Sequence, residues 1–127
     1  MTEAGDARRW WLGALLAAGA VQLVALYAPS AGGAPPFPNA DKLVHAAIFA
    51  LPVLFGLLAR LRPAVVVAVA ALHAPVSELV QHFLLPHRDG DVRDVLADLV
   101  GVGLGWLLAR LLVRLLAGRN GPAPLIS

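Results

Sequence analysis

The amino-acid sequence predicts an all-α integral membrane protein, a bundle of four transmembrane helices with both termini on the cytoplasmic side. Three observations predict it. Of 127 residues, 59% are hydrophobic and only 14% are charged, where a soluble domain carries about one-quarter charged residues. So short a chain has too much surface to hide that apolar surplus inside itself, and lipid is the solvent that suits it. Finally, the apolar residues fall in four long runs, and the basic residues punctuate the ends of those runs rather than forming a patch.

The first run is Trp10 to Tyr27, preceded by Arg8 and Arg9. A twin-arginine signal peptide would look similar, but its apolar core is usually about 7–15 residues. This run is longer and bounded by Trp10, Trp11 and Tyr27, the aromatic residues that membrane interfaces favour. A retained helix is expected. Pro29, Pro35, Pro36 and Pro38 then prevent a continuous helix. The second run, Leu43 to Ala59, is closed by Arg60 and Arg62. Pro63 opens the third, Ala64 to Leu85, which stops at Pro86. The fourth runs from Val92 to about Leu116 and leads into a Gly/Pro-rich tail. Each has close to the 20 or so apolar residues that span a bilayer. The expected organisation is one membrane domain over residues 1–127, with helices near 10–27, 43–59, 64–85 and 92–116.

Orientation follows from the basic residues. With the N-terminus inside, Arg8, Arg9, Arg60, Arg62, Arg110, Arg114 and Arg119 lie on the cytoplasmic side, against Lys42, Arg88 and Arg93 outside. The positive-inside rule favours that arrangement. It also gathers the polar chemistry at the outer side: Asp41, Lys42 and His45 open helix 2, Glu78, Gln81 and His82 end helix 3, and His87 to Asp98 lead into helix 4. Asp41, Asp91 and Asp94 have an ordinary account as caps and partners of helix N-termini. Glu78 and Asp98 do not. Glu78 lies about 12 Å along the axis from Pro86, and Asp98 about 10 Å from Asp91. A carboxylate at such depth costs roughly 2.5–3.5 kcal/mol unless it is paired, protonated or facing water. Two of them on adjacent helices predict a polar pocket opening outward.

Several classes of function are excluded or disfavoured. There is no cysteine, so thiol catalysis and cysteine-ligated metal are excluded. The net charge of +2 belongs to membrane topology, and no nucleic-acid partner is expected. No nucleotide fingerprint or nucleophile elbow occurs, and no cofactor is expected. His45, Glu78, His82 and Asp98 could in principle ligate a metal, but no His-Glu-x-x-His spacing is present, so none is expected. His73 has no acidic neighbour at helical spacing and reads as a packed histidine. Gly101-x-x-x-Gly105 is a helix-packing spacing.

Asp41-Lys42-Leu43-Val44-His45 with Phe49, Glu78-Leu79-Val80-Gln81, and Arg88 through Asp94 together resemble the D-K-x-x-H-x-x-x-F, E-x-x-Q and R-x5-D segments of VanZ-like membrane proteins. Asp94 to Gly101 is similar to the D-x-x-x-N-x-x-G that follows, with Asp98 where the family usually has asparagine. The resemblance covers residues 39–108. It implies a bacterial cytoplasmic (inner) membrane protein, and the family's founding member is associated with resistance to the glycopeptide teicoplanin.

The leading expectation is an outward pocket that binds a cell-envelope component, such as an anionic lipid-linked headgroup of a cell-wall precursor. Its expected residues are Asp41, Lys42, His45, Glu78, Gln81, Arg88, Asp94 and Asp98, with Glu78 paired to Arg88. The alternatives are a lipid-modifying enzyme with Glu78 as its catalytic general acid/base, a proton-coupled carrier, and a structural subunit whose polar residues only hold helices together.

Overall fold

A computed structural model of the chain describes residues 2–30, 32–119 and 121. Four helices follow one another: α1 (Glu3–Tyr27), α2 (Ala40–Leu58), α3 (Pro63–Leu84) and α4 (Val92–Arg119). All four are long and apolar enough to cross a membrane. Three run beyond the apolar segments, α2 by starting at Ala40 and so taking in Asp41 and Lys42. α1 starts at Glu3, where Glu3 and Asp6 suit the positive end of the helix dipole. α4 continues to Arg119, a cation in its last turn.

The boundaries have local causes. α2 ends in a Schellman motif: the Leu61 N–H donates to the Gly56 carbonyl at 3.1 Å and the Arg60 N–H to Leu57 at 3.0 Å. Arg60 occupies the left-handed position of that motif, φ 60°, usually held by glycine. Pro63 then fits the first turn of α3, where its missing N–H costs nothing. At the other end of the bundle, Asp91 precedes α4 and its Oδ1 accepts the Arg93 N–H at 2.8 Å, satisfying one donor of the first turn. Asn39 before α2 sits at φ 61° and makes no side-chain cap.

α2 is the central helix. It packs most extensively on α4 and next on α1, while α3 lies mainly against α4. The close α2–α4 approach comes from glycine. A Cβ added at Gly101 would overlap the Ala46 carbonyl, and one at Gly105 would overlap Ala50, whereas Gly103 faces open space. Small residues permit this contact where lipid offers no hydrophobic drive between helices. Leu26, Ile48, Phe49, Val53, Ala74 and Val102 form the buried core. Outside it, Leu16, Val69, Leu72 and Phe83 are largely exposed, an apolar exterior suited to lipid. Pro52 and Pro75 lie inside α2 and α3, as the sequence requires.

Candidate functional site

Residues 94, 98, 101 and 105 recur at helical spacing and share one face of α4, and Asp94, Asp98, Gly101 and Gly105 are all buried. The glycines hold that face against α2, and this brings Asp98 opposite His45. The His45 Nδ1 lies 2.7 Å from Asp98 Oδ1. Asp98 is 0% exposed and Glu78 6%. From α3, Glu78 places Oε1 3.9 Å from the same imidazole nitrogen. On the other side of the ring, His45 Nε2 is 3.6 Å from Asp94 Oδ2. One histidine therefore meets three carboxylates from two helices.

A second layer surrounds this group. The Asp91 N–H donates to Glu78 Oε2 at 2.9 Å, fixing the carboxylate from the loop before α4. The Lys42 ammonium lies 2.6 Å from Asp94 Oδ1, 2.6 Å from Asp41 and 3.2 Å from Asp91. Lys42 is thus a cation shared by three aspartates. Asp91 is held below the usual carboxylate range, first by the Arg93 N–H and then by Lys42. Two deeply buried oxygens, Glu78 Oε1 and Asp98 Oδ2, have no hydrogen-bond partner among the described residues. Beside Glu78, a groove of about 410 Å³ between α3 and α4 is lined largely by apolar side chains, among them Leu79, Phe83 and Val95, with Asp91 at its rim.

Six of the eight expected site residues, Asp41, Lys42, His45, Glu78, Asp94 and Asp98, meet in this network. Arg88 and Gln81 do not. The expected Glu78–Arg88 pair is absent among the described residues: Arg88 donates to the Ala28 carbonyl at 2.9 Å. The chain turns at His87, φ 63°, and carries Arg88 to the end of α1 instead of back along α3. Gln81, buried, donates to the Leu26 carbonyl at 2.8 Å and so ties α3 to α1. His82 stays exposed and packs edge-on against Phe83. His73 has the partner that spacing within α3 could not reveal, the Tyr27 hydroxyl of α1 at 2.8 Å.

The arrangement offers two kinds of chemistry. An imidazole oriented by a buried aspartate and facing a glutamate can move protons. The same three residues can also ligate: His45, Glu78 and Asp98 each offer a donor atom, all within 4.8 Å of one another. The expectation of no metal rested on the lack of a ligand spacing along one helix, whereas these donors come from three.

No curated protein and no solved structure matches the chain significantly. A family model does, over residues 8–114, which takes in α2 and α3, most of α1 and α4, and every residue of the network. The chain belongs to the VanZ/LLP1 family of membrane proteins.

Proposed function

We propose that this VanZ/LLP1 protein binds the polar headgroup of a cell-envelope lipid at the end of the bundle where His45, Glu78 and Asp98 meet. The observation that supports it is the pair of buried carboxylate oxygens without a partner among the described residues, Glu78 Oε1 and Asp98 Oδ2, next to a largely apolar groove between α3 and α4. Leaving such oxygens without a donor costs about 1–3 kcal/mol each or more, which a ligand's hydroxyl or ammonium groups would recover. The groove suits an acyl or prenyl chain. A phosphate on the same ligand would meet Arg93, exposed in the first turn of α4. Lys42 is already committed to aspartates. A lipid-linked saccharide phosphate combines these three features.

In this reading the protein lies in the bacterial cytoplasmic membrane with both termini inside and the site facing out. The chain has no cysteine, so single cysteines report topology cleanly. Those at Ala34 and Asp89 should react with an impermeant thiol reagent outside intact cells, and one at Pro63 should not. Lipid binding is tested by mass spectrometry of lipids that co-purify with the wild type and with Glu78→Gln. A phosphosaccharide lipid enriched on the wild type and lost from the variant supports the proposal. Identical lipid profiles would remove it. A contribution to teicoplanin resistance would appear as a raised inhibitory concentration on expression in a susceptible host, abolished by Glu78→Gln.

The His45–Asp98 contact favours one second reading, an enzyme that modifies such a lipid with Glu78 as general acid/base. Product formation from the purified lipid separates catalysis from binding.

A further inference from the structure

We propose that His45, Glu78 and Asp98 form a binding site for one divalent transition-metal ion of the Zn2+ class. The ligand atoms are His45 Nδ1, Glu78 Oε1 and a carboxylate oxygen of Asp98, contributed by α2, α3 and α4. Acidic residues near a helix end are common without any ion. Two features distinguish this group. Glu78 Oε1 and Asp98 Oδ2 are buried and without a partner among the described residues, on residues 6% and 0% exposed. The two carboxylates also converge on a histidine nitrogen, through Glu78 Oε1 and Asp98 Oδ1, a ligand that a chance carboxylate cluster lacks.

The distances fit after small movements. Four-coordinate zinc with bonds of about 2.0–2.2 Å sets its ligand atoms roughly 3.3–3.6 Å apart. The two contacts of His45 Nδ1, 2.7 Å to Asp98 and 3.9 Å to Glu78, straddle that value. Side-chain shifts below about 1 Å would bring both onto it. Charge fits as well. Lys42 is shared among Asp41, Asp91 and Asp94, so the charges that Glu78 and Asp98 carry when ionised have no lysine or arginine partner among the described residues. A divalent ion cancels both, in a place where a lone carboxylate is costly.

The surroundings provide the outer support that metal sites use. With Nδ1 on the metal, the other imidazole nitrogen carries the proton and points to Asp94 Oδ2, 3.6 Å away. Asp94 is in turn held by Lys42 at 2.6 Å. The Asp91 N–H fixes the second oxygen of Glu78, leaving the first for the ion. Imidazole among the donors favours zinc over magnesium or calcium, which take oxygen. Three protein ligands leave a coordination position for water or a ligand oxygen, as at catalytic zinc sites.

The test uses the full chain without a histidine tag, purified in detergent, stripped with chelator and titrated with Zn2+ alone. Bound metal is read by elemental analysis and by calorimetry. The wild type should take up one Zn2+ per chain, and Co2+ in its place should give the visible bands of a low-coordinate site. Glu78→Gln and Asp98→Asn should each lose binding, His82→Ala should keep it, and Asp94→Asn should weaken it about 10–100-fold through the outer support. Failure of the wild type to bind Zn2+ stoichiometrically would overturn the site, whatever the variants do. So would equal binding by Glu78→Gln, showing ordered elution and unchanged helicity. In either case the three side chains are partners of one another within the bundle and not metal ligands. The site does not rest on the lipid reading, because no lipid enters the titration.

Discussion

The two ends of the bundle both carry many charged groups and handle them in opposite ways. At one end Arg8, Arg9, Arg60, Arg62, Arg110, Arg114 and Arg119 are all exposed. Their recorded contacts are loose ones, Arg8 to the Ala59 carbonyl at 3.2 Å and Arg110 over the Trp106 ring at 4.8 Å. At the other end Glu78, Asp94 and Asp98 are buried and Lys42 and His45 half-buried, and each has a partner on another element. The difference separates two uses of charge in a membrane protein. Exposed arginines mark a boundary, and their exact positions matter little. Buried carboxylates need specific neighbours, so which residue faces them matters.

The strongest way to break this contrast is to remove one buried partner. Asp98→Ala should destabilise the detergent-solubilised protein by about 3–5 kcal/mol, by removing the partner of a half-buried histidine. Arg62→Ala at the opposite end should stay within about 0.5 kcal/mol. Equal effects on thermal unfolding would erase the distinction. Next in size is the helix contact that aligns the acidic end. Gly101→Ala forces a Cβ against the α2 backbone and should cost about 1–3 kcal/mol, while Gly103→Ala, facing open space, should be close to neutral.

A double-mutant cycle sharpens the contrast further. His45→Ala and Asp98→Ala should couple by about 0.5–3 kcal/mol. Glu78→Gln and Arg88→Gln should be additive, because the two side chains bond elsewhere. Coupling in the second pair would restore the ion pair expected from sequence. The smallest effect concerns Asp91, whose folded carboxyl lies below its ordinary range. A lowered folded value contributes stability above the unfolded value, near 3.9, and that contribution disappears as pH falls through the folded value. Asp91→Asn should therefore lower stability slightly at neutral pH and flatten the acid limb, so that variant and wild type converge below about pH 4.

Much of the fold was legible because lipid imposes a simple rule, about 20 apolar residues per crossing. Four runs obeyed it, and proline and arginine marked their ends. Glu78 and Asp98 stood out for the same reason, as charges too deep to be caps. Partners on other helices were not legible. Spacing along α3 could suggest Arg88 for Glu78, yet Arg88 went to α1 once His87 turned the chain. Tyr27 for His73, Leu26 for Gln81 and Asp98 for His45 all depend on how helices face one another, which periodicity within a single helix does not encode. The Gly101–Gly105 spacing announced a close contact without naming α2 as its object.

The pairing of α2 with α4 has a consequence for how the protein is made. His45 and Glu78 leave the ribosome well before Asp98, and α3 separates the two helices that pack most closely. Until α4 is inserted, Glu78 has no Asp91 N–H and His45 no Asp98, and both polar side chains must tolerate the interior of the membrane or its insertion machinery. Asp98 enters with the same need in reverse. A carboxylate that is costly alone becomes acceptable on meeting its histidine, so the last helix is drawn in by the one inserted two crossings earlier. A chain lacking α4 and the loop before it would leave His45 and Glu78 without these partners.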